Sequence, residues 1–443
     1  MRLVYLNPLW LVTIFVKWLC KPYDIAKSIT RQPARAFPEV DFLKGLSVLM
    51  VILFHIFFAV FFLFKKQPEK VHAFINEMPS WLSFMFSFDK AVDIFFMLSS
   101  FLLSYALLKV WDKKQNIHIR RFYLHRFFRI YPLFLVALLL YGLADINKLV
   151  HEGWYSLLFI ENIFSKGIIP VQWSLSIEMQ FYLIMPFMLI FLAKTRHPIR
   201  WLMVMISASI AMRFYLATSN PVIYQTHWYE FMDSPKGKIY MDTMYYVIES
   251  RLTPLLLGML WAVLLWKYKT PFIQASKTQT ASIWLFGLGI IYLSMRFPVY
   301  YTDSLYYEHF SEHLNLFMVT MHRIIFSATI LMLVLYSYYQ IKQEASLFQS
   351  LKQQVLQWKI WRLLSEVAYP MYFFHFPFII IAWVLTLGTT DAKNIIEIPL
   401  YLAPIAFVIA ILMTLYLSLW LHYAIETRFI RIGKKIEERW FKK

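Results

Sequence analysis

Long runs of uncharged, apolar residues constrain this chain more than any other feature of its sequence. Residues 46–64 and 398–421 are each long enough for a helix that crosses a hydrocarbon core about 30 Å thick, at 1.5 Å per residue. Of the 443 residues, 60% are hydrophobic and 16% are charged, whereas a soluble domain is about 25% charged. The sequence therefore predicts an all-α, polytopic transmembrane helical bundle. It excludes a disordered chain, a soluble fold and an outer-membrane barrel, whose strands alternate apolar and polar residues.

The apolar runs between charged breaks predict about ten spans, with both termini cytoplasmic. The predicted spans cover about residues 42–64, 81–108, 130–143, 174–193, 199–217, 250–266, 281–295, 322–340, 367–387 and 398–423. In this orientation 29 of the 44 Lys and Arg residues lie in cytoplasmic segments, 9 in outer segments and 6 within spans. Such an excess on one side is the positive-inside pattern of membrane proteins. We expect a multi-pass protein of the cell inner membrane.

The remaining composition limits the kinds of partner. The single cysteine, Cys20, cannot form an intrachain disulfide or a thiolate zinc site. The net charge of +18 comes from Lys and Arg placed between apolar runs, so no nucleic-acid partner is expected. Residues 3–20 lack a small-residue cleavage site and predict an interfacial amphipathic helix, not a signal peptide.

We divide the chain into three parts. Residues 1–36 form an N-terminal cytoplasmic or interfacial segment, residues 37–424 a transmembrane domain, and residues 425–443 a basic cytoplasmic tail. Because the tail has only about 20 residues, we expect the chemistry to be completed by the bundle or by a separate partner.

The first span carries two ionisable residues on one helix face. Lys44 and His55 are three helical turns plus about 20° apart, with an axial separation of about 16 Å. An ionisable group inside a span costs about 2.5–3.5 kcal/mol, so each one needs a reason. A Lys near the cytoplasmic rim and a His near the midplane suit a long anionic cofactor that enters from the cytoplasm. The alternative is a buried His that a neighbouring polar group satisfies.

Two carboxylates near the starts of predicted spans are further candidate site residues. Asp93 lies near the start of the second span, where it is able to orient a His or accept a proton, or to act as a structural partner for Lys90 or Arg251. Glu178 follows an interfacial Trp173 and lies one to two turns inside the fourth span. Of the two carboxylates, Glu178 is the stronger candidate for a catalytic acid.

Cations and aromatic residues alternate at helical spacing in residues 120–132. Arg126 and Arg129 share a helix face, and guanidinium groups suit phosphates while aromatic rings suit a stacked adenine. This pattern favours a donor that carries a nucleotide. A juxtamembrane basic helix that fixes topology and contacts anionic lipid explains the cations equally well.

A second histidine lies within the ninth predicted span. Tyr372 and His375 are three residues apart, which fits a binding site or a packed helix interface. No His-x-x-x-His or Glu-x-x-His pattern lies on one apolar face in the spans, so no metal is expected.

Five motifs, in their order along the chain, resemble the signatures of the acyltransferase-3 family of membrane acyltransferases. Lys44 to His55 is similar to the family's Arg-x10-His signature, and residues 92–99 are similar to its Val-Asp-Leu-Phe-Phe-x-Leu-Ser element. Residues 126–132 resemble its Arg-Arg-x-x-Arg-x-x-Pro loop. The last two matches are residues 173–182 with Trp-Ser-Leu-Ser-x-Glu-x-Gln-Phe-Tyr and residues 369–375 with Tyr-x-x-Tyr-x-x-His. The resemblance covers about residues 37–430.

The resemblance implies an integral-membrane O-acyltransferase (EC 2.3.1). It would move an acyl group, with acetyl expected, from cytoplasmic acetyl-CoA or another acyl-CoA to a hydroxyl of an extracytoplasmic glycan. Lys44 and His125 stand where the family has Arg, so a bidentate phosphate contact is lost at Lys44.

The same resemblance assigns roles to ten residues. The catalytic residues would be His55 as general base, with Glu178 and Asp93 to orient it or bind the acceptor. The cations that hold the donor's phosphates would be Lys44, Arg126 and Arg129. The substrate contacts would be Trp173, Ser176, Tyr372 and His375.

A proton-coupled transporter or flippase for a lipid-linked saccharide or amphiphile is the competing interpretation. It would use Asp93, Glu178 and His55 as a proton relay, but the sequence lacks an inverted repeat and paired Gly/Pro-broken spans. The expected partners are the lipid bilayer, the acyl-CoA donor and a hydroxyl-bearing acceptor. A homo-oligomer is left open.

Overall fold

The structure is a computed structural model that describes residues 8–33, 35–64, 67–164, 167–231, 235–301, 304–340, 347–391, 395 and 397–441. Within these residues the chain is built from helices, and an isolated bridge between Ile273 and Gln340 is the nearest approach to a strand pair. The prediction of an all-α fold is confirmed. Residues 3–7 of the predicted interfacial helix lie outside the described residues.

The helices follow one another closely along the chain. The first eight are α1 (Pro8–Thr30), α2 (Pro38–Leu63), α3 (Pro68–Glu77), α4 (Ala91–Lys114), α5 (Ile119–Gly142), α6 (Ile146–Leu157), α7 (Glu161–Phe164) and α8 (Gln172–Lys194). The next six are α9 (Pro198–Thr218), α10 (Pro221–Gln225), α11 (Pro235–Tyr240), α12 (Ile248–Lys267), α13 (Lys277–Met295) and α14 (Leu305–Glu308). The last six are α15 (Glu312–Tyr339), α16 (Leu347–Leu356), α17 (Lys359–Glu366), α18 (Ala368–Leu387), α19 (Leu402–Leu421) and α20 (Thr427–Trp440).

Shorter helical turns extend several of these helices. A 3-10 helix, Ser80–Lys90, leads directly into α4, and another covers Trp228–Phe231. A π-helical turn, Met241–Tyr245, follows α11, and a second one, His422–Glu426, joins α19 to α20.

Among the described residues, ten segments are long and apolar enough to cross a membrane. They are Pro38–Leu63, Ser80–Lys114, Ile119–Gly142, Gln172–Lys194, Pro198–Thr218, Pro235–Lys267, Lys277–Met295, Glu312–Tyr339, Ala368–Leu387 and Leu402–Trp440. The predicted number of spans is confirmed, and the protein is a multi-pass membrane protein.

The third span begins earlier than the sequence predicts. The apolar run starts near residue 130, but α5 begins at Ile119 and continues through the basic and aromatic stretch. Arg126 and Arg129 therefore belong to the spanning helix itself and are not in a loop that precedes it. The charged residues interrupt the apolar run without interrupting the helix, because Arg is a good helix former and its side chain can turn toward polar neighbours.

The centre of the bundle is the contact between α4 and α12. A Cβ atom on Gly258 would lie 2.1 Å from the carbonyl oxygen of Met97, so only glycine permits this approach of the two backbones. One turn further along, the rings of Phe101 and Trp261 stack with centroids 3.7 Å apart. This close pair positions α4, whose other side contacts α2 and α8.

Both described ends of the chain lie at the same end of the bundle. The Lys21 ammonium of α1 lies 5.2 Å from the ring centroid of Tyr423, which is in the π-helical turn that precedes α20. Helix α20 then packs against the first half of α5. We call this end, which includes Arg126 and Arg129, the basic end.

Candidate active site

A cavity of about 510 Å³ opens between α2, α4, α5, α8, α18 and α20. Its wall is largely apolar, with polar groups at a few positions. The polar and ionisable lining residues are Lys44, Ser99, His125, Arg126, Arg129, Ser174, Glu178, Tyr182, Tyr369, Tyr372 and Lys434. A cavity of this size with a few convergent polar groups is typical of a small-molecule site.

The three predicted donor-binding cations meet in this cavity. Lys44 comes from α2, and Arg126 and Arg129 come from successive turns of α5. Arg129 forms an ion pair with Glu426 at 2.9 Å, and Glu426 also contacts His422 at 2.6 Å, so the Arg129 side chain is held in place. The pairing with Glu426 compensates for part of the positive charge at this wall.

Arg126 has one buried hydrogen-bond donor that no described residue uses. Its Nε atom is buried and has no hydrogen-bond partner among the described residues. A buried polar atom without a partner is costly unless a ligand or water satisfies it. Arg126 therefore fits an anionic group that enters the cavity.

Glu178 is the one carboxylate that lines the cavity in the part of the chain that the structure describes. Its Oε1 accepts a hydrogen bond of 2.5 Å from the Tyr182 hydroxyl, one turn further along α8. The Tyr182 hydroxyl in turn contacts the Ser99 hydroxyl of α4. These three groups form a hydrogen-bonded chain beside Arg126, which interacts electrostatically with Glu178 and Tyr182. Such a chain is able to move a proton over several ångströms.

Tyr372 forms part of the cavity wall contributed by α18. Its hydroxyl hydrogen-bonds the Ser174 hydroxyl of α8 at 2.6 Å, and its ring packs edge-on against Phe95 of α4. Both Ser174 and Phe95 also line the cavity. Tyr372 therefore forms the boundary between the cavity and the residues on the far side of this wall.

The two predicted histidines form a pair behind Tyr372. Nε2 of His375 lies 3.1 Å from Nδ1 of His55, and Nδ1 of His375 lies 2.7 Å from the carbonyl oxygen of Tyr372. Nδ1 of His55 also lies 2.9 Å from the carbonyl oxygen of Val51. The simplest tautomers place a proton on Nδ1 of each ring, which leaves a lone pair on Nε2 of His55. The pair adjoins the cavity through Tyr372 and lies outside its lining.

Asp93 lies in a different cluster. It pairs with Arg251 at 3.2 Å and with Arg323 at 2.7 Å, and Asp89 also binds Arg323. Lys90 instead donates to the carbonyl oxygen of Phe297 at 2.6 Å. Of the two interpretations of Asp93, these contacts match the structural partner of Arg251.

Trp173 belongs to the same cluster as Asp93. The Arg251 guanidinium lies 5.3 Å from the Trp173 ring centroid and 4.4 Å from that of Tyr245. The structure therefore places Asp93 and Trp173 together, apart from the residues that line the cavity.

Ser176 holds a carboxylate that the sequence did not single out. Its hydroxyl donates to Glu161 of α7 at 2.6 Å and 2.7 Å, and the Gln172 amide donates to the same carboxyl group at 3.0 Å. The Glu161 side chain is almost fully buried, with 1% of its surface exposed. Burial raises the pKa of Glu161 to about 7, and the hydrogen bonds from Ser176 and Gln172 only partly oppose that rise. Ser176 thus anchors α7 to α8.

The sequence analysis assigned no role to seven further groups at the site. These are Ser99, His125, Ser174, Tyr182, Tyr369, Glu426 and Lys434. Ser99 and Tyr182 lie within the motifs at residues 92–99 and 173–182. Tyr182 follows Glu178 by four residues, a spacing that places the two side chains next to each other on a helix. No sequence pattern indicated that residues of α20 would reach the cavity. Among the described residues, no three His, Cys, Asp or Glu side chains group closely enough to hold a metal ion.

Relatives with known or provisional names match part of the chain. A peptidoglycan O-acetyltransferase of Listeria monocytogenes is 29% identical over 193 residues, which is 39% of this chain and 27% of the relative. A Staphylococcus aureus protein that bears the provisional name of an O-acetyltransferase is 28% identical over 180 residues, which is 36% of this chain and 26% of the relative. An uncharacterized protein of Haemophilus influenzae is 24% identical over 192 residues, which is 39% of this chain and 74% of that protein.

The match to the two named relatives covers about a quarter of their length. No solved structure matches this chain. The family model described as an acyltransferase domain matches residues 37–423, which include all ten residues that the sequence assigned to the site. An acyltransferase is an enzyme, so the predicted class of activity is confirmed. This chain belongs to the acyltransferase-3 family of membrane acyltransferases.

Proposed function

We propose that this protein is an O-acyltransferase of the cell inner membrane that moves an acetyl group from cytoplasmic acetyl-CoA to a hydroxyl of an extracytoplasmic glycan. One observation carries the proposal. A single cavity brings three cations, Lys44, Arg126 and Arg129, next to the carboxylate of Glu178. Cations suit the phosphates of a nucleotide thioester, and a carboxylate on a chain of hydroxyls suits proton transfer.

The orientation of the donor follows from the charges. The cations lie toward the basic end, and Tyr372 and Phe95 lie along the apolar part of the wall. A CoA thioester would place its phosphates on the guanidinium groups and its pantetheine arm along the apolar wall. The excess of Lys and Arg in the segments assigned to the cytoplasm supports entry of the donor from that side.

The reaction needs one proton acceptor. The acceptor hydroxyl would attack the thioester carbonyl carbon, so that a C–O bond forms, the C–S bond breaks and CoA leaves as its thiolate. We assign the proton of the hydroxyl to Nε2 of His55, where the tautomers leave a lone pair. Glu178 would pass a proton through Tyr182 and Ser99 to the departing thiolate and take one up again before the next turnover. Tyr372 lies between these two groups and would mark the place where donor and acceptor meet.

The proposed acceptor rests on the named relatives. The names of the Listeria and Staphylococcus proteins specify O-acetylation, and the Listeria name specifies peptidoglycan. Because this chain matches about a quarter of their length, a glycan hydroxyl is the substrate class that we carry over.

Mass spectrometry of surface glycans tests the proposal. Cells without the gene would be compared with cells that carry the wild-type copy or the His55→Ala copy. An acetyl ester that the wild-type copy restores and the His55→Ala copy does not restore would support both the function and the base. An unchanged ester in cells without the gene would overturn the function, and full restoration by His55→Ala would overturn the base.

A further inference from the structure

Helix α20 contributes to the cavity although it lies beyond the family's matched segment. The family match ends at residue 423, within the π-helical turn, and α20 spans Thr427–Trp440. Ile430, Gly433 and Lys434 all line the cavity. One wall of the cavity is therefore built by a part of this chain that the family match does not reach.

Two contacts fix α20 against α5. A Cβ atom on Gly433 would lie 2.8 Å from Cβ of Phe128, so the two helices approach as closely as a glycine allows. One turn later the Glu437 carboxylate pairs with Arg121 and His125. Gly433 and Glu437 share a helix face, so both contacts hold the same side of α20 toward α5. The position of Lys434 at the cavity is thus determined by packing on both sides of it.

The charge of Lys434 is available to a ligand. Lys434 makes no ion pair with any other described residue, and two neighbouring carboxylates are paired elsewhere, Glu437 with Arg121 and Glu426 with Arg129. With Lys434, four cations line the cavity against one lining carboxylate. Such an excess of positive charge fits a ligand that carries several negative charges.

We propose that Lys434 binds a phosphate of the nucleotide end of the donor, so that α20 makes the site selective for CoA thioesters over thioesters without phosphate. This inference rests on the proposed acyl-CoA donor. Lys434 is exposed on α20 and lines the same cavity as Arg126 and Arg129. It binds and positions the donor and takes no part in the bond exchange.

Donor binding by the full-length protein in detergent tests the inference. The probes are acetyl-CoA and acetyl-pantetheine, which lacks the phosphates and the nucleotide. Lys434→Gln should weaken acetyl-CoA binding about tenfold and leave acetyl-pantetheine binding within about twofold, because one charge-assisted contact is lost. Lys434→Arg should retain most of the acetyl-CoA affinity. Lys435→Gln is the matched control, since Lys435 is the next residue on the same helix, is exposed like Lys434 and does not line the cavity.

The outcomes separate this inference from the proposed function. Wild-type affinity for acetyl-CoA in Lys434→Gln would overturn the role of Lys434 while the donor assignment stands. An equal loss for both probes would also overturn it, because the effect would then come from the cavity shape. If the wild-type protein binds neither probe, the donor assignment itself fails, and the inference fails with it.

Discussion

At the scale of single residues, Arg126 is the group whose contacts most directly indicate a bound anion. Its Nε atom is buried without a partner among the described residues, while Arg129 one turn away is held by Glu426. The two arginines therefore have different roles in the cavity. Arg129 is held in advance by Glu426, and the Nε atom of Arg126 is available to the donor.

Arg126→Lys tests this difference. Lysine retains the positive charge but loses the planar guanidinium, so we expect KM for acetyl-CoA to rise about tenfold with kcat within about twofold. Steady-state kinetics of the purified protein measure both constants. Arg120→Lys is the control, because Arg120 is exposed on the same helix. An unchanged KM in Arg126→Lys would contradict donor binding at this side chain.

Glu178→Gln tests the hydrogen-bonded chain. The Gln side chain retains an oxygen that accepts from Tyr182, so the fold and KM should change little, but it cannot take up a proton. We expect kcat to fall about 100-fold or more. The comparison is with Glu152→Gln on α6, which should behave as the wild type. A kcat near the wild-type value would show that Glu178 has no chemical role.

Glu161 gives stability a pH dependence. Its pKa is about 7 in the folded protein, against 4.5 for an ordinary Glu. As pH rises from 4.5 to 7 the unfolded chain loses this proton first, so the folded state loses about 3 kcal/mol relative to it, and the loss is complete above pH 7. Glu161→Gln removes this dependence, because Gln stays neutral. Thermal unfolding in detergent at pH 5 to 8 measures it, with Glu308→Gln at an exposed site as control. A wild-type profile in Glu161→Gln would rule out Glu161 as the source.

At the scale of elements, the sequence predicts the helices far better than the contacts between them. The ten spans are readable because apolar length is a local property, and Lys44 and His55 share one span for the same reason. The sequence predicts a start near residue 130 for the third span, whereas α5 begins at Ile119, because charged residues interrupt the apolar run without ending the helix. Asp93 and Arg323 are 230 residues apart, and only the packed bundle shows that they pair.

The site shows the same division. The cations of α2 and α5 and Glu178 of α8 were found by motif, and the structure brings them to one cavity. Asp93 and Trp173 belong to the same set of motifs, yet they lie in another cluster, because a motif records chain order and not the direction in which a helix faces. The contribution of α20 has no motif, since it depends on how α20 docks on α5.

Gly433→Ala tests the docking of α20. The added Cβ would lie 2.8 Å from Cβ of Phe128. Because a side-chain rotation does not move Cβ, α20 must shift away from α5. We expect KM for acetyl-CoA to rise about fivefold with unchanged membrane insertion, because the wall at Lys434 moves. Gly289→Ala on α13 is the control, since nothing lies within 4 Å of the Cβ that it adds. Wild-type KM in Gly433→Ala would contradict a role for the α20 wall.

At the scale of the whole molecule, the bundle has two different ends. The basic end gathers α1, the first half of α5 and α20. The paired charges of Asp89, Asp93, Arg251 and Arg323 form a separate buried cluster. The cavity at the basic end is thus open to an anionic donor, whereas the two arginines of the other cluster are paired with Asp89 and Asp93.

The central claim is that the cavity between α2, α4, α5, α8, α18 and α20 binds the acyl-CoA donor. The most direct test uses a CoA thioester with a photoreactive acyl group, added to the purified protein, followed by mass spectrometry of the labelled peptides. We predict labels on α4 and α18 near Phe95 and Tyr372, which excess acetyl-CoA prevents and which Arg126→Ala weakens. Labels at positions remote from this cavity, or labels that acetyl-CoA does not prevent, would contradict the claim.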